Sequence, residues 1–253
     1  MKNSLETINQ RRNQIIDVLQ KKGQLSIPEL SKLTNVSEMT IRRDCKELIK
    51  MGEVNQDRGL ISIIERNPKN SQIDPHGHIK DKLAEAAAGF VEDNYFISIN
   101  SSSTAMKVIN YIKNKNIVIH TNNANVVNLN RNNNCSIVLS GGELTSDNIL
   151  VGNETINSFN AARANLAIIG CAGVNVENGI STPVFREADV NRSIIRHCQK
   201  LILVADYSKI GPVSNFTIGD VSDIDILITD NFADKAVLDR LQNHGVEVIQ
   251  IPI

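Results

Sequence analysis

The chain has no tryptophan, and aromatic residues make up only 4% of its 253 positions. Its apolar content of 41% is therefore mostly aliphatic, ordinary for a soluble globular protein and enough at this length to bury a core. Cysteine is sparse too. Cys45, Cys135, Cys171 and Cys198 lie far apart and form no C-x-x-C pair, which argues against both a zinc site and a disulfide framework. They read as small buried hydrophobes in a reducing compartment, with redox sensing as the alternative. The longest apolar run, Leu166 to Val174, is far too short to span a bilayer, and no signal peptide opens the chain. A cytosolic protein with no membrane partner is expected. H-E-x-x-H, P-loop and G-x-S-x-G patterns are all absent, which weighs against an enzyme; no resident metal or cofactor is expected either. There is no internal repeat.

The net charge of −1 says nothing about a polyanionic partner, but its distribution is uneven. Residues 1–66 carry 12 Lys+Arg against 9 Asp+Glu, and the remainder carries 15 against 19. A mildly basic head on a mildly acidic body fits a nucleic-acid reader.

In the head, Ile8, Ile15, Ile16 and Leu19 share one face of a predicted first helix that Gly23 ends. The segment SIPELSKL places Ser26 and Glu29 as a capping box with Pro28 in the first turn of a short second helix. After a turn at Asn35-Val36, Ser37 is set to cap a third helix in which Ile41, Cys45, Leu48 and Ile49 form the apolar stripe. Two short strands around Asp57-Arg58-Gly59 follow.

If the stripe turns inward, Ser37, Glu38, Thr40, Arg42, Arg43 and Lys46 stay at exposed or flanking positions. Two helices, a tight turn and a third helix with polar and basic residues near its start describe a helix-turn-helix, with the hairpin as its wing. Arginine can donate two hydrogen bonds to guanine O6 and N7, and hydroxyls and lysines can hold phosphate. The alternative for the Arg42-Arg43 pair is a solvated helix face. Asp44 is unsuited to facing phosphate and is expected to pair with a nearby cation.

Residues 65–79 hold Pro68, Pro75 and Gly77 without periodicity and read as a linker between a head at 1–64 and a body at 80–253. In the body, the apolar runs YFISI, NIVIHT, CSIVLS, LAIIG, LILVA, DILIT and VEVIQI alternate with helical stretches. Those stretches are Lys80–Glu92, Ala105–Lys113, Ala124–Asn130, Arg186–His197 and Ala233–His244. Unbroken apolar strands separated by helices predict a three-layer, Rossmann-like α/β domain around a parallel sheet. Ligands of such sheets bind at the carboxyl ends of the strands. There Ser101, Ser102, Ser103 and Thr104 make a phosphate cradle or, as the plainer reading, an N-cap. Asn122 and Asn123 offer amides to sugar hydroxyls, Gly141 and Gly142 permit close backbone approach, and Lys209 can neutralise a phosphate. Asp206 can bind hydroxyls or orient that lysine.

The stretch LSIPELSKLTNVSEMTIRRDCKEL resembles the signature of DeoR-type bacterial transcription regulators, whose recognition helix reads V-S-E-x-T-I-R-R-D. The resemblance implies that Leu25 to Asp44 forms the helix-turn-helix, that Arg42 and Arg43 touch double-stranded operator DNA, and that Arg58 is the basic residue of the wing. The family's wing motif is altered here, with Gln56 in place of arginine. From Lys80 to Asp230 the chain resembles the effector domain of the same family, similar in fold to ribose phosphate isomerase and glucosamine phosphate deaminase. Its D-S-G-T-T motif stands as Asn100-Ser101-Ser102-Ser103-Thr104, and T-N as Thr121-Asn122. The G-G motif stands as Gly141-Gly142, and D-x-S-K-x-G as Asp206, Ser208, Lys209 and Gly211. Glu187 and Arg192 lie in the matching stretch EADVNRSII. The resemblance implies a phosphorylated sugar as effector, with Asn100 and Ser102 departing from the usual Asp and Gly.

Three functions follow as expectations. The first is a repressor, a homodimer or homotetramer on paired half-sites, released from DNA by a sugar phosphate. The second is a sugar-phosphate isomerase or deaminase using Glu187, Asp206 and Lys209 as acid–base groups. The third is a DNA-binding protein whose body only oligomerises.

Overall fold

The computed structural model describes residues 5–50, 54–57, 59–63, 77–129 and 135–253. They form two compact units that divide between Ile79 and Lys80. Arg58 and residues 64–76, most of the expected linker, lie outside the described residues.

In the N-terminal unit, α1 (Leu5–Lys22) buries Ile15 and Leu19. A two-residue strand, β1 (Leu25–Ser26), leads into α2 (Ile27–Thr34). The capping box forms as the spacing requires: Ser26 Oγ accepts from the Glu29 N–H, and the Glu29 carboxylate accepts the Ser26 N–H at 2.7 Å. Asn35, at φ 56°, ends α2. Helix α3 (Glu38–Lys50) follows, then the wing strands β2 (Val54–Asp57) and β3 (Leu60–Ile63). β1 joins the wing as a third antiparallel strand through Leu25 and Ser26, a pairing too short to show any period in the sequence.

Ile41, Cys45 and Leu48 of α3 are buried as expected, but Ile49 is 37% exposed. At 100° per residue it lies about 80° round the helix from Ile41, at the margin of the stripe. The inner face takes Asp44 as well, 2% exposed. Arg11 of α1 meets that carboxylate through both Nε (2.5 Å) and an Nη (3.1 Å), and Arg12 Nε stands 3.5 Å away.

Helix α4 (Gly77–Ala88) starts just before the division and leads into the C-terminal unit, followed by β4 (Phe96–Ile99) and a short α5 (Ser103–Lys107) that passes into one 3₁₀ turn. β5 (Ile117–Thr121) and β6 (Cys135–Leu139) come next, and the Ala124–Asn128 segment between them is a 3₁₀ helix rather than an α-helix. A small hairpin, β7 (Glu143–Leu144) and β8 (Leu150–Val151), precedes α6 (Asn153–Asn160). The chain then forms β9 (Leu166–Ile169), β10 (Gly173–Asn175), β11 (Gly179–Thr182) and α7 (Phe185–Arg196). β12 (Leu201–Val204), β13 (Phe216–Gly219), β14 (Ile226–Asp230), α8 (Lys235–Asn243) and β15 (Glu247–Ile251) complete it.

All seven expected strands enter one parallel sheet, in the order β15-β14-β12-β9-β4-β5-β6. Every residue of β9, β12 and β14 is buried, so both faces of the sheet centre are covered. The order runs outward from β4 in one direction and from β9 in the other. The boundary between these adjacent strands is the topological switch point.

His120 on β5 is buried with its ring 4.1 Å from that of Phe159 and 5.8 Å from that of Phe96, sharing a 2.9 Å hydrogen bond with Ser158 Oγ. Burial pushes its pKa down to about 4. The folded form thus refuses a proton that the unfolded chain takes below its ordinary value near 6.5, and stability is lost as pH falls through that window. Relative to His120→Phe, the wild type should lose about 2 kcal/mol of stability between pH 7 and pH 5. Paired urea melts at the two pH values measure it; an equal change in both proteins refutes the assignment.

Candidate functional site

The outer face of α3 begins with a side-chain cap. Ser37 Oγ accepts the Thr40 N–H (3.4 Å) and shares a 2.9 Å bond with the Thr40 hydroxyl. Glu38, Arg42, Arg43 and Lys46 are exposed. Arg42 and Lys46 line a depression of about 360 Å³ with Ile27 and Pro28 of α2 and Gln56 and Gly59 of the wing. The structure therefore places Arg42 and Lys46 beside the hairpin, with Arg43 exposed on the same helix; Arg58 lies outside the described residues. Sequence reasoning passed over Met39, which is 83% exposed on the same face. Its signal was an apolar residue off the stripe, the kind of group that packs on a thymine methyl.

In the C-terminal unit the loops after β4, β9 and β12 converge on one cavity of about 280 Å³ at the switch point. Asn100, Ser101, Ser102, Ser103 and Thr104 enter from β4, Asp206 and Lys209 from β12, and Glu187 from α7. Eight residues singled out from the sequence thus share a wall. Asn123 does not line this cavity but a neighbouring one. Asn122, Gly141 and Gly142 line neither. The Asn122 side chain is buried and donates to Leu150 O at 3.1 Å. The close approach at Gly142 is made by the chain itself, since a Cβ there would stand 2.3 Å from Thr155 Oγ1; at Gly141 a Cβ would meet nothing within 4 Å, and its carbonyl accepts from Thr155 Oγ1 at 2.7 Å. Arg192 is also turned elsewhere, to Thr217 O and Asp189.

The four-hydroxyl loop is more differentiated than its sequence. Ser102 is the N-cap, its Oγ accepting the Ala105 N–H. Ser101 donates to the Glu187 carboxylate. Ser103 accepts from Lys80 Nζ at 3.3 Å, and Thr104 is buried against the cavity. Since α5 has only five residues, its terminal dipole is a small contributor; the cations of the lining are Lys80 and Lys209, which share it with the carboxylates of Glu187 and Asp206.

Asn100 is a clamp rather than a free acceptor. Its Nδ2 donates to Gly170 O (3.0 Å) and Asn191 Oδ1 (2.9 Å), while its Oδ1 accepts from Gly170 N (3.1 Å) and Ser102 N (3.2 Å). A carboxylate here would be unable to make the first two bonds. Opposite it, Gly170 has to be glycine, since a Cβ would lie 2.0 Å from Ser102 Oγ. Asp206 is likewise committed, accepting from the Ser208 N–H and hydroxyl and capping the 3₁₀ turn that carries Lys209. Behind it Asp230 accepts the Tyr207 N–H at 2.7 Å; burial, with the Asp206 charge assisting, pushes its carboxyl up to about 6. Cys171 also lines the cavity, its thiol pushed up to about 12 by burial and so neutral at pH 7. Lys80, Gly170, Cys171 and Asn191 were not among the site residues expected from the sequence. They come from other elements, and only the sheet order brings them here. Among the described residues, no group of His, Cys, Asp and Glu is arranged to hold a metal ion.

A winged helix-turn-helix joined to a parallel-sheet unit with a polar pocket at its switch point is the build of a transcriptional regulator. Residues 11–67 match the DeoR-like helix-turn-helix domain and residues 76–231 the DeoR C-terminal sensor domain; the chain belongs to the DeoR family of DNA-binding regulators. It is 29% identical over 245 residues to the glycerol-3-phosphate regulon repressor of Escherichia coli K12, covering 94% of this chain and 97% of that one. Identity is again 29%, over 246 residues with the same coverage, to the regulator GolR of Listeria innocua. To the repressor GlcR of Bacillus subtilis it is 25% over 241 residues, covering 93% of each. A solved structure of ribose 5-phosphate isomerase A from Methanocaldococcus jannaschii aligns at 16% identity with TM-score 0.37, over 52% of this chain and 53% of that one.

Proposed function

We propose that this protein represses transcription by holding operator DNA with α3 and the wing, and that a phosphorylated sugar in the switch-point cavity releases it. The observation that carries the effector assignment is the pairing of Lys80 and Lys209 with a run of hydroxyls around one cavity. Two ammonium groups and short hydroxyls match the charge and acceptor pattern of a phosphate monoester. Family membership supports the DNA half, and the name of the E. coli relative, a glycerol-3-phosphate regulon repressor, agrees with a phosphorylated effector. The site works as a sensor rather than a catalyst: Asp206 is tied into a cap, Glu187 is bound by Ser101, and the Cys171 thiol is neutral. An oligomer of the chain places its heads on paired half-sites in the cytosol, so each weak contact set is doubled.

The test is an electrophoretic shift of the protein's own upstream DNA with and without a panel of sugar phosphates. One member should release the DNA, and no member should be turned over at enzymatic rates. Lys209→Ala should leave operator affinity unchanged while raising the concentration needed for release roughly tenfold or more, as loss of a charge-assisted contact implies. Normal release by the variant would remove Lys209 from the site.

A further inference from the structure

A second cavity adjoins the first. It is larger, about 540 Å³ against 280 Å³, and the two share Ser101, Ser103 and Glu187. Its character is different. Both lysines of the first cavity are absent from its lining, and the cation it does have, Lys107, is paired with Asp81 at 2.7 Å. Its amides are also committed. Asn123 Nδ2 donates to Ser101 O and its Oδ1 accepts the Asn125 N–H, both at 3.0 Å. Asn125 Nδ2 donates to Asp147 O and its Oδ1 accepts from Asn148, again at 3.0 Å. Beyond the shared Ser101, Ser103 and Glu187 and the exposed carboxylate of Asp147, the surface offered to an occupant is the apolar one of Met106, Leu129 and Ile149.

Resting on the reading that the first cavity holds a phosphate, we propose that the effector is a phosphorylated glycoside. Its phosphate lies at Lys80 and Lys209, its sugar crosses at Ser101 and Glu187, and an apolar aglycone fills the second cavity. Orientation follows from charge: Lys80 and Lys209 line the first cavity alone, whereas the second adds the Asp147 carboxylate and a Lys107 already paired with Asp81. Selectivity follows from desolvation. Hydroxyls of a further sugar ring would give up water against committed amides and aliphatic carbon, whereas an apolar group loses nothing by entering. Methionine suits this purpose, since its flexible thioether adapts to irregular shapes. At the crossing, the Ser101 hydroxyl donates to one oxygen of the Glu187 carboxylate, and the remaining lone pairs of both groups accept from ring hydroxyls.

The test is calorimetric titration of the full chain with inorganic phosphate and with the methyl and phenyl β-glucoside 6-phosphates and their galactoside counterparts. In at least one sugar series the phenyl compound should bind roughly tenfold or more tightly than the methyl compound, from burial of the ring. Leu129→Trp, which fills the second cavity from a half-buried position, should abolish that preference and leave affinity for inorganic phosphate unchanged. Equal affinity of methyl and phenyl compounds in both series overturns the proposal. So does a variant that keeps the phenyl preference. Failure of every probe, inorganic phosphate included, instead overturns the phosphate reading on which this one stands.

Discussion

Asp44→Ala should unfold the N-terminal unit while leaving the sheet unit intact. The substitution removes the carboxylate that meets the Arg11 guanidinium through two hydrogen bonds and faces Arg12 as well, and all three side chains are mostly shielded from water. Two cations then remain against a low-dielectric interior without a counter-charge. Breaking one side of such a buried pair costs about 3–5 kcal/mol, which exceeds the value of the pair itself because the abandoned charge has to be paid for. A unit of this size has little reserve, since small domains bury a smaller fraction of their surface. Hydrogen exchange separates the outcomes. Amides of α1, α2 and α3 should exchange far faster in the variant, and those of β9, β12 and β14 should not change. Asp44→Asn, which still accepts from Arg11, should show a smaller effect. Protection of α3 equal to wild type in Asp44→Ala would show that the ion pair does not hold the head together.

Arg43→Ala should weaken operator binding by about 10- to 100-fold at fixed salt, the worth of one bidentate base contact. Arg43 is exposed on α3 next to the buried Asp44, so its removal disturbs no packing. The loss should therefore appear in DNA affinity with melting temperature unchanged. Arg43→Lys separates two modes of contact. Lysine keeps the charge for a phosphate but lacks the planar fork that reads guanine, so a base-reading arginine would not be rescued. The salt dependence gives a second readout. A lost phosphate contact lowers the slope of log affinity against log salt by about one, whereas a lost base contact leaves it nearly unchanged. Unchanged operator affinity in Arg43→Ala would place the reading surface elsewhere on the head.

Much of this molecule could be read before folding it, because the relevant signals are local. The seven apolar runs of the parallel sheet, the Ser26–Glu29 capping box and the inward faces of α1 and α3 all follow from periodicity and capping within a few residues. What escaped notice was short or non-local. The two-residue β1 and the β7–β8 hairpin carry too few residues to show alternation. In α6, Ile156 and Phe159 are the only large apolar residues, too few for a helical period to stand out. Gly142 was read as room for a ligand because glycine reports only that something comes close; here it is Thr155 and Val151 of the same chain.

The sequence by itself determined the kinds of element, the division into a basic reader and an α/β body, and the loops on which polar chemistry would collect. Only the tertiary structure decided that β4 lies beside β9, and so that the serine loop faces Lys80, Lys209 and Asn191 across one cavity with an apolar neighbour. The reason is physical. Hydrogen-bonded turns and amphipathic faces are set by residues within a few positions of one another. The order of parallel strands is instead chosen by packing between segments some 70 residues apart, as Asn100 and Gly170 are, and leaves no periodic trace in either.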